Sequence, residues 1–244
     1  MPLAALLCSA QTVPPAAAGG DLAQQAADPT APLMAFTLKN QTTASYYGVP
    51  GSGNSFGFQP AIPFRAWNVS HLLRTTVSYD IDGPGGRGLN SVSIFDLIVF
   101  SEKWGRWGVG PLMQFAPNRG PGQDTALAGP AVGFVATKGK WNLGVFNQNL
   151  FGQNTRFTAV QPIIAYVLKG GWSLASGDAQ CSIDWSRPEF VNIPFGVQVA
   201  KVTKIGPQPV RFFVNPEYNA RSVFGTPHWA IRFGMTILAP MKPK

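Results

Sequence analysis

The sequence predicts an all-β protein: a transmembrane, antiparallel, up-and-down β-barrel of about twelve strands. Three observations lead to this fold class. Apolar and polar residues alternate in segments of about ten residues. Short and long connections alternate between these segments, and five of the seven tryptophans lie beside the short ones. Because indole rings settle at the lipid headgroup level, this sorting of tryptophan predicts a membrane interface.

The composition fits one large β-domain and excludes a helical membrane protein. The 244 residues are 45% hydrophobic and only 12% charged, and they include 27 Gly and 22 Pro, which supply many turns. Mean hydropathy is only +0.05. No run of about 18 apolar residues occurs, which is the length that a transmembrane helix requires. The apolar residues must therefore be distributed by alternation along strands.

The last predicted strand shows the alternation most clearly. Trp229 and Phe233 point to one side, whereas Arg232 and Gly234 point to the other, because successive side chains of a strand face opposite sides of the sheet. Irregular pairing is expected at Pro162 and Pro194, since proline has no N–H to donate. The predicted strands span residues 33–40, 54–65, 69–79, 90–101, 107–116, 130–138, 141–151, 157–168, 172–185, 191–204, 208–219 and 228–239.

The connections orient the barrel. Long links are predicted at residues 41–53, 80–89, 117–129, 152–156, 186–190 and 220–227. Outer-membrane barrels have short periplasmic turns and long extracellular loops. The alternation therefore predicts an even strand number, both termini in the periplasm, and a place in the outer membrane of a Gram-negative bacterium.

Aromatic residues form two predicted girdles at the membrane interfaces. A β-sandwich, the competing fold, has no reason to sort tryptophan by the length of the adjacent turn. The short-turn girdle consists of Trp67, Trp104, Trp107, Trp141 and Trp172. The long-loop girdle consists of Tyr79, Trp185, Tyr218 and Trp229.

The N-terminal residues predict two segments ahead of the barrel at 33–240. Residues 1–10 have the short apolar stretch of a truncated signal peptide, and lipidation at Cys8 is the alternative. Residues 11–32 are rich in Ala, Gln, Pro and Gly and predict a flexible periplasmic leader. Cys181 is the only other cysteine, and no cysteine and histidine cluster has metal-ligand spacing, so we expect no metal and no cofactor.

Chemistry in such a barrel belongs to the inward face. Arg74 and Asp96 lie on neighbouring predicted strands at similar heights, so a salt bridge is expected there, with a solute contact as the alternative. Arg211, Arg232 and Glu217 predict a second cluster on the last two strands. The inward candidates for solute contact are Gln59, Arg65, Arg74, Asp96, Gln114, Gln148, Gln161, Asp184, Arg211, Glu217 and Arg232.

The formal net charge of +8 raises the question of partners. Basic residues lie largely in turns and loops, without a basic helix or a stacking platform, so nucleic acid is not expected. Outer-membrane lipid and lipopolysaccharide phosphates are the expected partners of these residues, with solvation of the loop tips as the alternative. A small-molecule solute and the machinery that inserts barrels complete the expected partners.

Short motifs occur in a fixed order along residues 33–240. They are GFQPAIPF at 57–64, WN at 67–68, WGVGP at 107–111, GP at 129–130, AVQP at 159–162, VAKVTKIG at 199–206 and WAIRF at 229–233. In this order they resemble the bacterial barrels labelled as meta-pathway phenol-degradation proteins, often misnamed neuromedin U or called simply transporters. The resemblance implies an outer-membrane barrel that serves the uptake of aromatic or other small compounds.

Three function classes remain open from the sequence. The first is a passive porin-like channel for small solutes, with a preference for anionic or aromatic ones set by inward arginines. The second is a structural or lipid-binding barrel plugged by large inward residues such as Phe213, Phe146, Leu112 and Ile163. A membrane phospholipase would use His71 or His228, but no nucleophile elbow accompanies them, so we expect a protein that is not an enzyme.

Overall fold

A computed structural model describes residues 19–117 and 124–240. The predicted signal segment at 1–10 and the leader residues 11–18 lie outside the described residues. One helix precedes the sheet, α1 (Gly19–Ala26). The strands are β1 (Leu33–Tyr46), β2 (Gly53–Ala66), β3 (Val69–Asp82), β4 (Gly88–Glu102), β5 (Gly105–Phe115), β6 (Ala126–Lys138), β7 (Trp141–Phe151), β8 (Arg156–Val167), β9 (Trp172–Ala175), β10 (Cys181–Asp184), β11 (Glu189–Asn192), β12 (Pro194–Gly196), β13 (Gln198–Ile205), β14 (Gln208–Asn219) and β15 (Pro227–Pro240).

The strands form a closed antiparallel barrel of twelve wall strands, as the sequence predicts. Each wall strand pairs with the next in the chain, and β15 pairs with β1 from Leu33↔Pro240 to Tyr46↔Pro227. The ninth wall strand is β9 followed by β10, and the tenth is β11, β12 and β13 in succession. Closure leaves no free edge, which is the condition for a sheet to cross a lipid bilayer.

Strand β1 is longer than predicted because the alternation of polarity fades along it. Residues 41–46 were expected in a loop, yet they remain paired with β15, and Gln41, Thr42 and Thr43 also pair with β2. Both faces are polar here. On the outer face, Asn40 and Asn54 exchange side-chain hydrogen bonds of 2.8 and 3.0 Å. Hydrogen bonding to the neighbouring strands holds this segment in the sheet where hydrophobicity gives no signal.

The ninth wall strand leaves the ladder between β9 and β10. Residues 176–180 bulge into the barrel, and Gly177 allows the turn with a φ of +67°. The Ser176 hydroxyl donates to the carbonyl oxygen of Pro162 at 2.7 Å. Pro162 lies within the unbroken strand β8. The irregularity expected at Pro162 occurs instead in the neighbouring wall strand, because Pro162 has no N–H to donate to that strand. Pro194 begins the short strand β12, where the tenth wall strand is interrupted.

The barrel interior is divided into an apolar half and a polar half. Inward side chains of β3 to β8 form a buried cluster, which includes Leu72, Phe95, Leu112, Phe146 and Ile163. Inward positions on β1, β13, β14 and β15 include a group of charged and amide side chains: Lys39, Gln41, Gln198, Arg211, Asn215, Glu217 and Arg232. Towards the long loops, the inward side chains of β2 to β8 are also largely polar, and the open space of the upper lumen lies among them.

The segment that was expected to be a flexible leader differs from the prediction over residues 19–32. Helix α1 and the turn after it dock into the barrel at the end with the short turns, where Ala23 and Ala31 are buried against Leu33, Val167 and Leu238. An eight-residue helix of average hydropathy has no stability of its own, so tertiary contacts decide this conformation. Within the described residues, no helix is long and apolar enough to cross a membrane.

Polar contacts fix this segment to the barrel wall. The Arg106 guanidinium donates to the Asp28 carboxylate at 2.6 Å, and the Asp28 side chain is only 2% exposed. The Gln24 amide donates to the carbonyl oxygen of Gly139 at 2.9 Å and to the side chain of Asn142 at 3.2 Å. These contacts come from β5, from β7 and from the turn between β6 and β7, so the segment bridges separate parts of the wall.

An acid-sensitive contact joins two of the long loops. The Asp124 carboxylate accepts the backbone amides of Asn154 and Thr155 at 2.7 and 2.8 Å, and the hydrogen bond from Asn154 is the main cause of its lowered pKa. A lowered folded-state pKa stabilises the contact above the ordinary carboxyl pKa and loses it as the pH falls through the folded value. We expect amide hydrogen exchange at Asn154 and Thr155 to lose protection on strong acidification. Asp124→Asn should remove this pH dependence; an identical acid response in the variant would contradict the assignment.

Candidate functional site

Strand register places nearly all the predicted solute-contact residues on the inward face. Residues of β2, β3, β5, β7 and β8 that line the two central cavities set the inward parity, and the pairing carries it around the barrel. The inward positions are those of Gln59, Arg65, Arg74, Gln114, Gln148, Gln161, Asp184, Arg211, Glu217 and Arg232. Of these, Arg65 lies near the short turns and Asp184 near the long loops.

Asp96 is the exception, because the structure places it on the outer wall. Arg74 is directly opposite Phe95, so Asp96 has the opposite parity and the predicted Arg74–Asp96 salt bridge does not form. Asp96 instead lies 3.0 Å from Nδ1 of His71. The His71 ring stacks on Phe64 at a centroid distance of 4.8 Å. A similar height on neighbouring strands was therefore insufficient to predict the salt bridge, because height does not specify whether a side chain points into the lumen or to the outer wall.

Arg74 lies over aromatic rings in the lumen. Its guanidinium carbon is 4.5 Å from the Phe95 ring centroid and 5.3 Å from that of Phe146. Rings attract a cation through their negative faces but do not neutralise its charge. Among the described residues, no carboxylate forms a salt bridge with Arg74, and its buried Nε has no hydrogen-bond partner.

Lys39 and Asp178 form an ion pair in the middle of the barrel. The Lys39 ammonium lies 2.8 Å from the Asp178 carboxylate and 3.2 Å from the amide oxygen of Gln59. Asp178 reaches the lumen because it lies on the bulge at residues 176–180. Gly57 leaves room for the lysine stem, since a Cβ there would approach Lys39 Cγ to 2.9 Å. The glycine on the adjacent strand thus determines where the long side chain lies.

A second ion pair lies nearer the long loops. Arg232 donates to Glu217 at 2.5 Å and to the amide oxygen of Gln41 at 2.6 Å. The Asn215 amide donates to the same Glu217 carboxylate at 2.7 Å. Arg211 was predicted to join this cluster, but it instead donates to the side-chain oxygen of Gln198.

The central lumen therefore carries two uncompensated positive charges. Lys39 is paired with Asp178, and Arg232 is paired with Glu217. Arg74 and Arg211 form no salt bridge with a carboxylate in the described part of the chain. An interior cation without a partner is costly, so this arrangement favours an anion in the lumen.

Three cavities follow one another along the lumen. The upper chamber has a volume of about 360 Å³ and includes Lys39, Arg74 and Arg232 in its lining. The lower chamber, about 130 Å³, lies between the central arginines and the segment at residues 25–31. A side chamber of about 220 Å³ lies towards the long loops beside Glu217 and Arg232. Gln59, Arg74, Gln161 and Asp178 line both the upper and the lower chamber.

Sequence reasoning missed several residues of the lumen. Lys39 and Gln41 could have been found from the period of two along β1. Phe36 and Leu38 mark the outward face, so every second residue from Ala35 onward faces inward. Gln198 shares the inward parity of Ala200 on β13. No sequence signal placed Asp178, because a bulge that turns into the lumen has no periodic pattern.

The two histidines lie at opposite ends of the barrel. His71 has Asp96 as its partner near the short turns, whereas Nδ1 of His228 lies 3.4 Å from the Ser45 hydroxyl near the long loops. A nucleophilic serine site requires a serine, a histidine and an orienting group together. Here the serine neighbour and the acidic neighbour belong to different histidines.

The aromatic residues of the predicted girdles occupy the two ends of the outer wall. Trp67 lies in a short turn with a φ of +47°, and Trp107 stacks on Phe100 at 4.3 Å. At the other end, Tyr218 packs on Trp229 at 4.8 Å. The remaining members take corresponding positions: Trp104, Trp141 and Trp172 at the short turns, and Tyr79 and Trp185 towards the long loops.

Comparison with solved structures finds the same architecture in bacterial porins. The KdgM porin aligns with a TM-score of 0.55 and 10% identity over 83% of this chain and 98% of the porin. An outer membrane channel from Pseudomonas putida F1 aligns with a TM-score of 0.59 and 11% identity over 85% and 96% of the two chains. A KdgM porin in complex with disordered oligogalacturonate gives 0.53 and 8% over 85% and 99%. At this identity the likeness concerns the fold.

No protein-family model and no curated protein sequence matches the chain. The resemblance to the phenol-degradation barrels therefore stays a prediction.

The Arg232–Glu217 pair should contribute more to stability than an exposed pair. Glu217→Gln leaves Arg232 in the lumen without its carboxylate, so we expect the free energy of unfolding to fall by about 3 kcal/mol, the low end for a buried pair. The matched control is Glu189→Gln, which breaks the exposed pair with Arg221 at 3.1 Å and should cost about 1 kcal/mol or less. Urea unfolding in lipid vesicles measures both. Equal losses would show that the lumen solvates Arg232 as well as bulk water does.

Proposed function

We propose that the protein is a channel of the bacterial outer membrane for the passive uptake of small anionic solutes. The observation that carries this proposal is the pair of lumen arginines, Arg74 and Arg211, which lack a carboxylate partner among the described residues. Inward charge in a narrow barrel sets ion selectivity without a covalent step or an energy source. The sequence resemblance to phenol-degradation barrels implies aromatic or other small compounds as solutes, and the inward arginines favour those that carry a negative charge.

Several features support a membrane location for this channel. Large apolar side chains such as Phe58, Phe134 and Ile231 are exposed on outward positions, as a wall in contact with lipid requires. Tryptophans concentrate at the short turns, which we assign to the periplasm together with both termini. The porin and the outer membrane channel that share this fold support a membrane location, and the KdgM porin has been solved in complex with disordered oligogalacturonate.

A plugged structural or lipid-binding barrel is the second candidate, and one observation favours it. Residues 22–31 fill the short-turn end of the lumen, where Ala23 and Ala31 are buried and Asp28 pairs with Arg106. The apolar half, with Phe146 and Leu112 fully buried, fills much of the remaining cross-section. In the channel proposal, this N-terminal segment narrows the passage or moves aside.

Ion selectivity tests the proposal directly. In planar bilayers under a salt gradient, the full chain should show discrete conductance steps and a reversal potential of the sign for anions. Arg74→Gln and Arg211→Gln should each shift that potential towards zero, because each removes an unpaired inward charge. Arg65→Gln is the matched control, since Arg65 is an exposed arginine near the short turns outside the cavities, and its effect should be smaller. Unchanged reversal potentials in both central variants would contradict anion selectivity.

Removal of the N-terminal segment separates the two candidates. Deletion of residues 1–31 should raise the single-channel conductance severalfold, because it opens the end of the lumen that the segment occupies. Asp28→Asn should give a smaller increase or brief openings, since it weakens only the contact with Arg106. A folded barrel that stays silent even after the deletion would favour the structural or lipid-binding role.

A further inference from the structure

Two arginines without a carboxylate partner among the described residues line the lower chamber. Arg74 and Arg211 both line it, and the buried Nε atom of each has no hydrogen-bond partner. Phe95 covers one face of Arg74, and Gln198 occupies one nitrogen of Arg211. Neither contact uses Nε. A guanidinium with free N–H groups matches a carboxylate through two parallel hydrogen bonds.

Apart from the arginines, the lower chamber has a mixed lining, in which amide and hydroxyl side chains lie beside apolar ones. Its walls include Leu33, Leu72, Ile163, Phe213 and Leu238, and the segment after helix α1 contributes small side chains to its floor. The volume is about 130 Å³. An apolar protein cavity of about 150 Å³ accepts benzene. The chamber is therefore of the size for one small ring, with the arginines at the upper end of that space.

The electrostatics of the chamber favour an anion in spite of Asp178 in its lining. The Asp178 carboxylate is 2.8 Å from the Lys39 ammonium, and the Asp28 carboxylate is 2.6 Å from the Arg106 guanidinium. Both carboxylates of the lining are thus matched within the protein. The two arginines keep their positive charge, and an anion that entered would complete their coordination.

The route into the lower chamber starts in the upper one. The two chambers share Gln59, Arg74, Gln161 and Asp178 in their linings, so the same side chains form the passage between them. The upper chamber carries Lys39 and Arg232 in addition to Arg74. An anion from the long-loop side would therefore move through a basic vestibule towards the arginine pair.

We propose that the lower chamber is a binding site for a small monocyclic organic carboxylate. The carboxylate pairs with Arg74 and Arg211, and the ring occupies the apolar space between them and residues 25–31. This inference rests on the proposed channel function, because the solute reaches the site through the lumen. The segment after helix α1 is the floor of the site, so a bound solute stands at the last barrier before the short-turn end.

Benzoate binding to the full chain in detergent micelles, measured by isothermal titration calorimetry, tests the site. Arg74→Gln and Arg211→Gln should each weaken benzoate binding about tenfold or more, the effect of losing a charge-assisted hydrogen bond. Arg156→Gln, at an exposed position at the start of β8 that lines neither chamber, should leave the affinity within about twofold. Benzamide lacks the charge, acetate lacks the ring, and inorganic phosphate is charged but lacks both the ring and the carboxylate. All three should therefore bind at least about tenfold more weakly than benzoate.

A second variant keeps the test independent of the arginines. Ala35 lines the lower chamber from β1, and Ala35→Phe would fill the space for the ring while leaving both arginines in place. It should abolish benzoate binding while the barrel stays folded, as heat-modifiable electrophoretic mobility reports. Unchanged benzoate affinity in Ala35→Phe or in both arginine variants would overturn the proposed site, as would equal affinity for benzoate and phosphate.

The conductance measurement distinguishes failure of this site from failure of the channel. An anion-selective pore that binds no benzoate keeps the channel and overturns the carboxylate site. Benzoate binding that depends on Arg74 and Arg211 in a chain that never conducts, even after deletion of residues 1–31, supports the site and overturns the channel.

Discussion

Closure of the backbone hydrogen-bond ladder is the constraint on which the rest of this structure depends. A sheet in lipid must pair every backbone N–H and C=O, so β15 returns to β1 along its full length. Closure fixes which side chains face inward on every strand, because the alternation is carried from strand to strand by register. Where the ladder is interrupted, side chains take over: the amide N–H of Ile193, between β11 and β12, donates to the Asn219 side chain at 2.9 Å.

The division of the lumen into two halves follows from that fixed parity. Inward leucine and phenylalanine on β3 to β8 pack together, and the cluster fills one side of the barrel like the core of a soluble domain. The charged side chains on β1, β14 and β15 then face that packed surface and the remaining space. Arg74 lies at the edge of the apolar cluster, where its guanidinium packs over the rings of Phe95 and Phe146. The position of the cavities is thus a consequence of the apolar packing.

The N-terminal segment connects the barrel wall with the candidate site. It is fixed through Asp28, Gln24 and buried alanines, and the residues that follow the helix form the floor of the lower chamber. One ion pair, the hydrogen bonds of Gln24 and a few apolar side chains hold it in the described structure, which is a weaker attachment than a strand pairing. An element with few contacts is also the one that moves at a low free-energy cost. Occlusion of the lumen and access to it therefore depend on the same segment.

The sequence by itself determined the barrel, its twelve wall strands, the alternation of short and long connections and the inward parity of most lumen residues. These properties are local: a period of two along each strand and turn residues between strands are visible without the fold. The register between neighbouring strands, by contrast, was decided only by the tertiary structure. It moved Asp96 to the outer wall, because one residue of displacement exchanges the two faces.

The tertiary structure also decided the contacts that depend on distant residues. Asp178 lies on a bulge that turns into the lumen, where it pairs with Lys39, a residue far away in the sequence. Residues 19–32 adopt their conformation because they pack against the barrel. The polar end of β1 stays in the sheet through its neighbours and not through its composition. Pairings between residues more than a hundred positions apart have no periodic signal along the chain. Closure of the barrel is what brings them together.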